Sequence, residues 1–125
     1  METTRHDWLT PAEVMESYNT RKIQLAPPTW IITAELCAYP KMQDLMQVAK
    51  KGRDLTPTMP KFHMEETAEG MEIHLCLPGD KDSDRPLRPD LLRRMVIKPG
   101  HSYRFLSSLE EATPWESVAE LSAKL

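Results

Sequence analysis

Between residues 62 and 80 stand His63, Glu65, Glu66, Glu69, Glu72, His74, Cys76 and Asp80, side chains whose types could do chemistry. Imidazoles, carboxylates and a thiol so close together raise three chemistries. His63 and His74 would hold a transition metal if a hairpin brings them together, with Cys76 as third donor of a small zinc-binding adaptor. No further ligand stands at a telling spacing, so surface cross-strand polar pairing is the simpler expectation for the two histidines. Glu65 and Glu66 are candidates for a divalent cation held against a diphosphate, yet paired carboxylates beside a turn are ordinarily solvated. A Cys76 nucleophile with His74 as its base is discounted, because the strand is expected to turn the two side chains to opposite faces. Leu77-Pro78-Gly79-Asp80 offers backbone N–H groups to an anion, but reads first as a strand-ending turn.

The elements that must position these residues follow from periodicity. Phe62 and Met64 alternate with Lys61, His63 and Glu65, and Met71, Ile73, Leu75 and Leu77 alternate with Glu72, His74 and Cys76. That period of two marks half-buried strands. A loop at residues 67–70 sets Phe62 against Leu75 and Met64 against Ile73 on one side, and His63 against His74 on the other. A second strand pair is expected at 94–98 and 103–106, joined by Pro99-Gly100-His101-Ser102, with 81–90 as an exposed, charged loop.

Upstream the period lengthens to that of helices. Thr10 caps a helix that opens on Pro11, with Glu13 closing a capping box and an end near Thr20. Pro28 opens a second helix, 28–37, with Trp30, Ile31, Ala34 and Leu36 as a broad apolar face, and Tyr39-Pro40 ends it. A third, 41–51, carries Met42, Leu45, Met46 and Ala49 as one stripe, with Gly52 as its stop. Thr113-Pro114-Trp115-Glu116 is read as the cap of a short terminal helix bearing Val118, Ala119 and Leu121. The fold class expected is α/β, α+β in this piece: three short helices, two strand hairpins and a terminal helix. The chain divides into a polar lead-in at 1–7, a helical part at 8–52, hairpins at 60–106 and a tail at 107–125.

Bulk properties exclude several functions. The 125 residues carry 16 basic and 19 acidic side chains for a net charge of −3, interspersed, so no continuous positive field exists to displace counterions from nucleic acid. No apolar run approaches the roughly 20 residues that span a bilayer, and the polar N-terminus lacks the apolar region of a signal peptide. Membrane insertion and secretion are therefore not expected. Cys37 and Cys76 have no CxxC partner and are read as reduced core or near-core thiols.

Trp8, Thr10-Pro11-Ala12-Glu13, Leu25-Ala26-Pro27-Pro28, Leu36, Ile73-His74-Leu75, Leu77-Pro78-Gly79-Asp80, the strand Arg94-Met95-Val96-Ile97 and the terminal Ala123-Lys124-Leu125 occur in an order and spacing that carry a resemblance. Nearly the whole chain resembles the region after the Nudix box in Nudix hydrolases of the peroxisomal acyl-coenzyme A diphosphatase type. The resemblance implies the C-terminal portion of a Nudix α/β/α sandwich, with CoA or acyl-CoA as the parent family's substrate and Mg²⁺ or Mn²⁺ as its cofactor. The family's metal-holding element, Gly-x5-Glu-x7-Arg-Glu-U-x-Glu-Glu-x-Gly-U with U aliphatic, is missing. The local echo 63–71 lacks the Arg-Glu pair and the upstream glycine and glutamate. The chain is thus expected to be a fragment or truncated isoform with no diphosphatase activity and no bound cofactor of its own; the alternative is a non-catalytic binding or regulatory module derived from the same fold. Ala123, Lys124 and Leu125 form a variant of the C-terminal Ser-Lys-Leu address, which implies the peroxisomal import receptor as partner and the peroxisome as location. A fold missing part of its sheet leaves edges and faces bare, so self-association is also expected.

Overall fold

A computed structural model describes residues 5–53, 58–100 and 102–125. The chain forms two compact units, Met1–Gly52 and Arg53–Leu125.

The first unit is helical. Helix α1, Pro11–Asn19, starts where its cap dictates: the Thr10 hydroxyl accepts from the Glu13 N–H, and the Glu13 carboxylate accepts from the Thr10 N–H. Helix α2, Pro27–Cys37, follows from the extended residue Ala26 and packs on α1. Its most enclosed side chains are Thr33 and Glu35 rather than the expected apolar face, and Ile32 is exposed. The Thr33 hydroxyl is satisfied by donating to the Thr29 carbonyl, 2.7 Å away. Cys37 ends this helix exposed, not in a core. Helix α3, Met42–Lys51, stops at Gly52, whose φ of 74° suits a residue without a side chain. Met42 and Met46 on its stripe are exposed.

The second unit is a four-stranded antiparallel meander: β1 Lys61–Thr67, β2 Gly70–Cys76, β3 Arg93–Lys98 and β4 Ser102–Ser107, in that spatial order. The α+β class is as expected. So is the first hairpin's register, with Phe62 opposite Leu75, His63 opposite His74 and Met64 opposite Ile73. The second hairpin joins the same sheet through β2 and β3, where Leu75 meets Met95. His101, expected in its turn, and residues 1–4 and 54–57 lie outside the described residues.

The core sits at the sheet's centre, on Leu75, Leu77, Met95 and Val96, with Leu91 and Leu121. Phe62 and Met64 do not join it: β1 is an edge strand, and they remain 72% and 60% exposed. The terminal helix α4, Val118–Ser122, begins later than Thr113-Pro114 suggests. Its cap is Ser117, boxed with Glu120. The residues 113–116 form a turn instead, closed by the Thr113 N–H donating to the Glu116 carboxylate at 2.6 Å.

Candidate functional site

Two adjacent arginines organise the second unit. Neighbours on a strand point to opposite faces, so Arg93 and Arg94 reach to opposite sides of β3. Arg93 is buried and donates to the carbonyls of Pro78, at 2.8 Å, and of Thr113, at 3.2 Å, and also to that of Glu116. It thereby ties the tail to the turn after β2.

Arg94 holds the other side. Its Nε donates to Asp80 Oδ2 at 2.8 Å, and its Nη2 to Asp80 Oδ1 at 2.6 Å and to Asp82 Oδ2 at 3.0 Å. Asp80 is fully buried, and its remaining capacity is taken by the backbone N–H groups of Arg93, at 2.7 Å, and Asp82, at 2.9 Å. Four donors saturate a carboxylate. The Asp80 and Asp82 hydrogen bonds raise the already high basicity of the Arg94 guanidinium, against the opposing effect of burial. The hydrogen bond from Arg94 likewise holds the Asp82 carboxyl below its ordinary range.

The same guanidinium continues into the histidine cluster. Its Nη1 lies 3.4 Å from His74 Nδ1, and His74 Nε2 lies 3.2 Å from Glu72 Oε1 and 3.3 Å from Glu65 Oε2. An arginine only donates, so Nδ1 accepts and Nε2 carries the proton toward the two carboxylates. The His63 ring stands edge-on to His74 at 5.7 Å. His74 is buried, 6% exposed, which corrects the expected surface pairing: the covered member serves as a link between Arg94 and the edge strand.

Among the described residues, two sets of side chains bring possible ligand atoms close together, Glu65 with Glu72 and His74, and Cys76 with Asp80 and Asp82. Neither fits the Mg²⁺ or Mn²⁺ that the sequence resemblance implies. In the second set Asp80 has no lone pair to spare. In the first, a cation needs the Nε2 lone pair; the ring proton would then move to Nδ1 and oppose an Arg94 N–H. His74 Nε2 is instead engaged with Glu65 and Glu72, and the carboxylates of Asp80 and Asp82 with Arg94.

Cys76 and His74 are two residues apart on β2 and so share a face, contrary to the sequence expectation. The pair is still no nucleophile and base, because burial pushes the Cys76 thiol up, outweighing the nearby Arg94 charge. Glu66 faces away from this cluster, opposite Met71. In the turn 78–80, Gly79 has a φ of 100°, and a Cβ there would stand 2.8 Å from Leu121 Cδ2. The turn is thus a packing joint for α4.

At the C-terminus, Leu125 is half exposed and Ala123 is exposed. The Lys124 ammonium donates to the Glu111 carbonyl at 2.7 Å and to Glu116 Oε1 at 2.9 Å. Burial raises the Glu116 carboxyl, but hydrogen bonds from Lys124 and Thr113 outweigh it and hold the group below its ordinary value.

Sequence reasoning gave no role to Arg93 or Arg94, kept Glu72 only as a strand position, and read Asp80 as part of a turn rather than as the counterion of Arg94. The available signal was an Arg-Arg pair opening an apolar strand, since a cation there has to meet an anion. Comparison with known protein families, curated proteins and solved structures finds no match. Among the described residues, no helix is long and apolar enough to cross a membrane.

Proposed function

We propose that this chain is the scaffold-bearing C-terminal portion of a Nudix hydrolase that acts on the diphosphate of CoA or acyl-CoA, and that by itself it performs no hydrolysis. The observation that carries this reading is what the family-like Pro78-Gly79-Asp80 segment does. Asp80 is spent on Arg94 and on backbone N–H groups, and Gly79 on Leu121, so the segment holds the fold together. The metal-holding carboxylates of such an enzyme would lie in sequence preceding residue 1. In this reading Ala123, Lys124 and Leu125 address the protein to the peroxisome through the import receptor.

The test has two arms. The coding sequence upstream of Met1 is read in frame for the Nudix box, and purified proteins with and without that extension are assayed for Mg²⁺-dependent release of nucleotide from CoA. Hydrolysis by the extended protein alone supports the proposal. Hydrolysis by the 125-residue chain, or an upstream frame without the box, overturns it. A second reading, a non-catalytic binding module derived from the same fold, is favoured by one feature: the exposed apolar side chains of β1.

A further inference from the structure

Among the described residues β1 is the last strand on its side of the sheet, and its outer edge has a defined hydrogen-bonding parity. The Leu77 N–H donates to the Arg93 carbonyl at 2.9 Å, so in β2 the backbone groups of Leu77, Leu75 and Ile73 face β3. Those of Cys76, His74, Glu72 and Gly70 then face β1 and pair with Lys61, His63, Glu65 and Thr67. The N–H and C=O groups of Phe62, Met64 and Glu66 are left pointing outward, beyond the last strand of the sheet.

A second copy of the same strand, antiparallel across a twofold axis, can bond to those groups only in registers that set outward residues against outward residues. Centring the axis on His63 places Phe62 opposite the partner copy's Met64, and Lys61 opposite its Glu65, each pair occurring twice. Apolar meets apolar on one face, and opposite charges meet on the other. Moving the axis to Met64 sets Phe62 against Glu66, and moving it to Glu65 sets that carboxylate against itself. Pro60 lacks an N–H, which ends the new ladder where the apolar pairs end. The other outer strand offers no equivalent: in β4 the register that matches Tyr103 with Phe105 brings Arg104 opposite its own copy.

We propose that two copies of this chain associate through antiparallel pairing of their β1 edges about an axis at His63, joining two four-stranded sheets into one. The exposed side chains of Phe62 and Met64 are the apolar part of this interface, and Lys61 with Glu65 sets its register. The axis makes the contact self-complementary and closed at two copies. This inference is independent of the Nudix reading, because it needs only the sequence and position of β1.

Sedimentation equilibrium of the 125-residue chain over a concentration series tests it, together with cysteine trapping in a Cys37→Ser background. The expected result is a monomer–dimer equilibrium whose limiting mass is twice the 14.4 kDa of one chain. His63→Cys, at a non-hydrogen-bonded position on the axis, should give a covalent dimer on mild oxidation. Lys61→Glu should weaken dimerisation by roughly tenfold, since two attractive pairs become repulsive. The double variant Lys61→Glu/Glu65→Lys should recover it. A monomer at every concentration, open-ended polymers, trapping through Met64→Cys but not His63→Cys, or a folded charge-swapped variant that stays monomeric would each overturn the proposal.

Discussion

Replacing Asp80 by alanine tests the structural argument most severely. Asp80 is fully buried, and its two oxygens accept from Arg94 Nε and Nη2 and from the N–H groups of Arg93 and Asp82. Deleting the carboxylate leaves the buried Arg94 with the more distant Asp82 as its anion and strands the buried Arg93 N–H. Breaking a buried pair by removing one partner costs about 3–5 kcal/mol, because the surviving charge stays desolvated. We take about 4 kcal/mol, roughly a thousandfold in the folding equilibrium and a large share of a small domain's total stability. For a urea m-value of about 1–2 kcal/mol/M, the unfolding midpoint should fall by about 2–4 M, read by circular dichroism. Arg94→Met should be similarly harmful, and the Asp80→Ala/Arg94→Met double variant should lose about 2 kcal/mol less than the two single losses together. If Asp80→Ala costs less than about 1 kcal/mol, the clamp is not what holds residues 80–82 to β3, and the reasoning fails.

Other consequences are checked more simply. Gly79→Ala should destabilise by about 1–3 kcal/mol in urea unfolding, because a side chain at a φ of 100° is strained and would press on Leu121. With a thiol reagent near neutral pH, the exposed Cys37 should react at once and Cys76 only on unfolding, since Cys76 is buried and its thiol is raised. Acid should weaken the second unit through the two carboxyls held low there, Asp82 by Arg94, and Glu116 by Lys124 and Thr113 against burial. Folded values below the unfolded ones make this stabilisation complete above the ordinary values of 3.8 and 4.5 and lost as pH falls through the lower folded ones. Urea midpoints measured from about pH 5 to about pH 2 should therefore fall, and less steeply for Asp82→Asn. A fluorescent fusion ending in Ala123-Lys124-Leu125 should collect in peroxisomes and disperse when Leu125 is deleted; unchanged distribution would remove the localisation proposal.

Much of the secondary structure was legible because its causes are local. The α1 cap depends on Thr10, Pro11 and Glu13 within one turn, and the first hairpin's register on an alternation that pairs apolar with apolar over a short loop. Those interactions are written in consecutive residues. The terminal helix was misplaced for the same reason: Thr113-Pro114 and Ser117 both carry cap chemistry, and only the pull of Glu116 toward Thr113 and Lys124 decides between them.

Burial was another matter, because it depends on which neighbours arrive from elsewhere. Phe62 and Leu75 read alike in the sequence, yet one lies on an edge strand and the other between two strands. Cys37 and Cys76 were expected to share a fate, and the first ends a helix in the open while the second lies at a sheet centre. What the amino-acid order determined by itself is the set of elements and the pairing of β1 with β2, since these rest on nearest-neighbour sterics and hydrophobic period. What the tertiary structure alone decided is the use of Asp80, Arg93, Arg94 and His74, because a buried charge is tolerable only beside its counterion, and Asp80 and Arg94 are brought together by the folded sheet and not by adjacency along the chain.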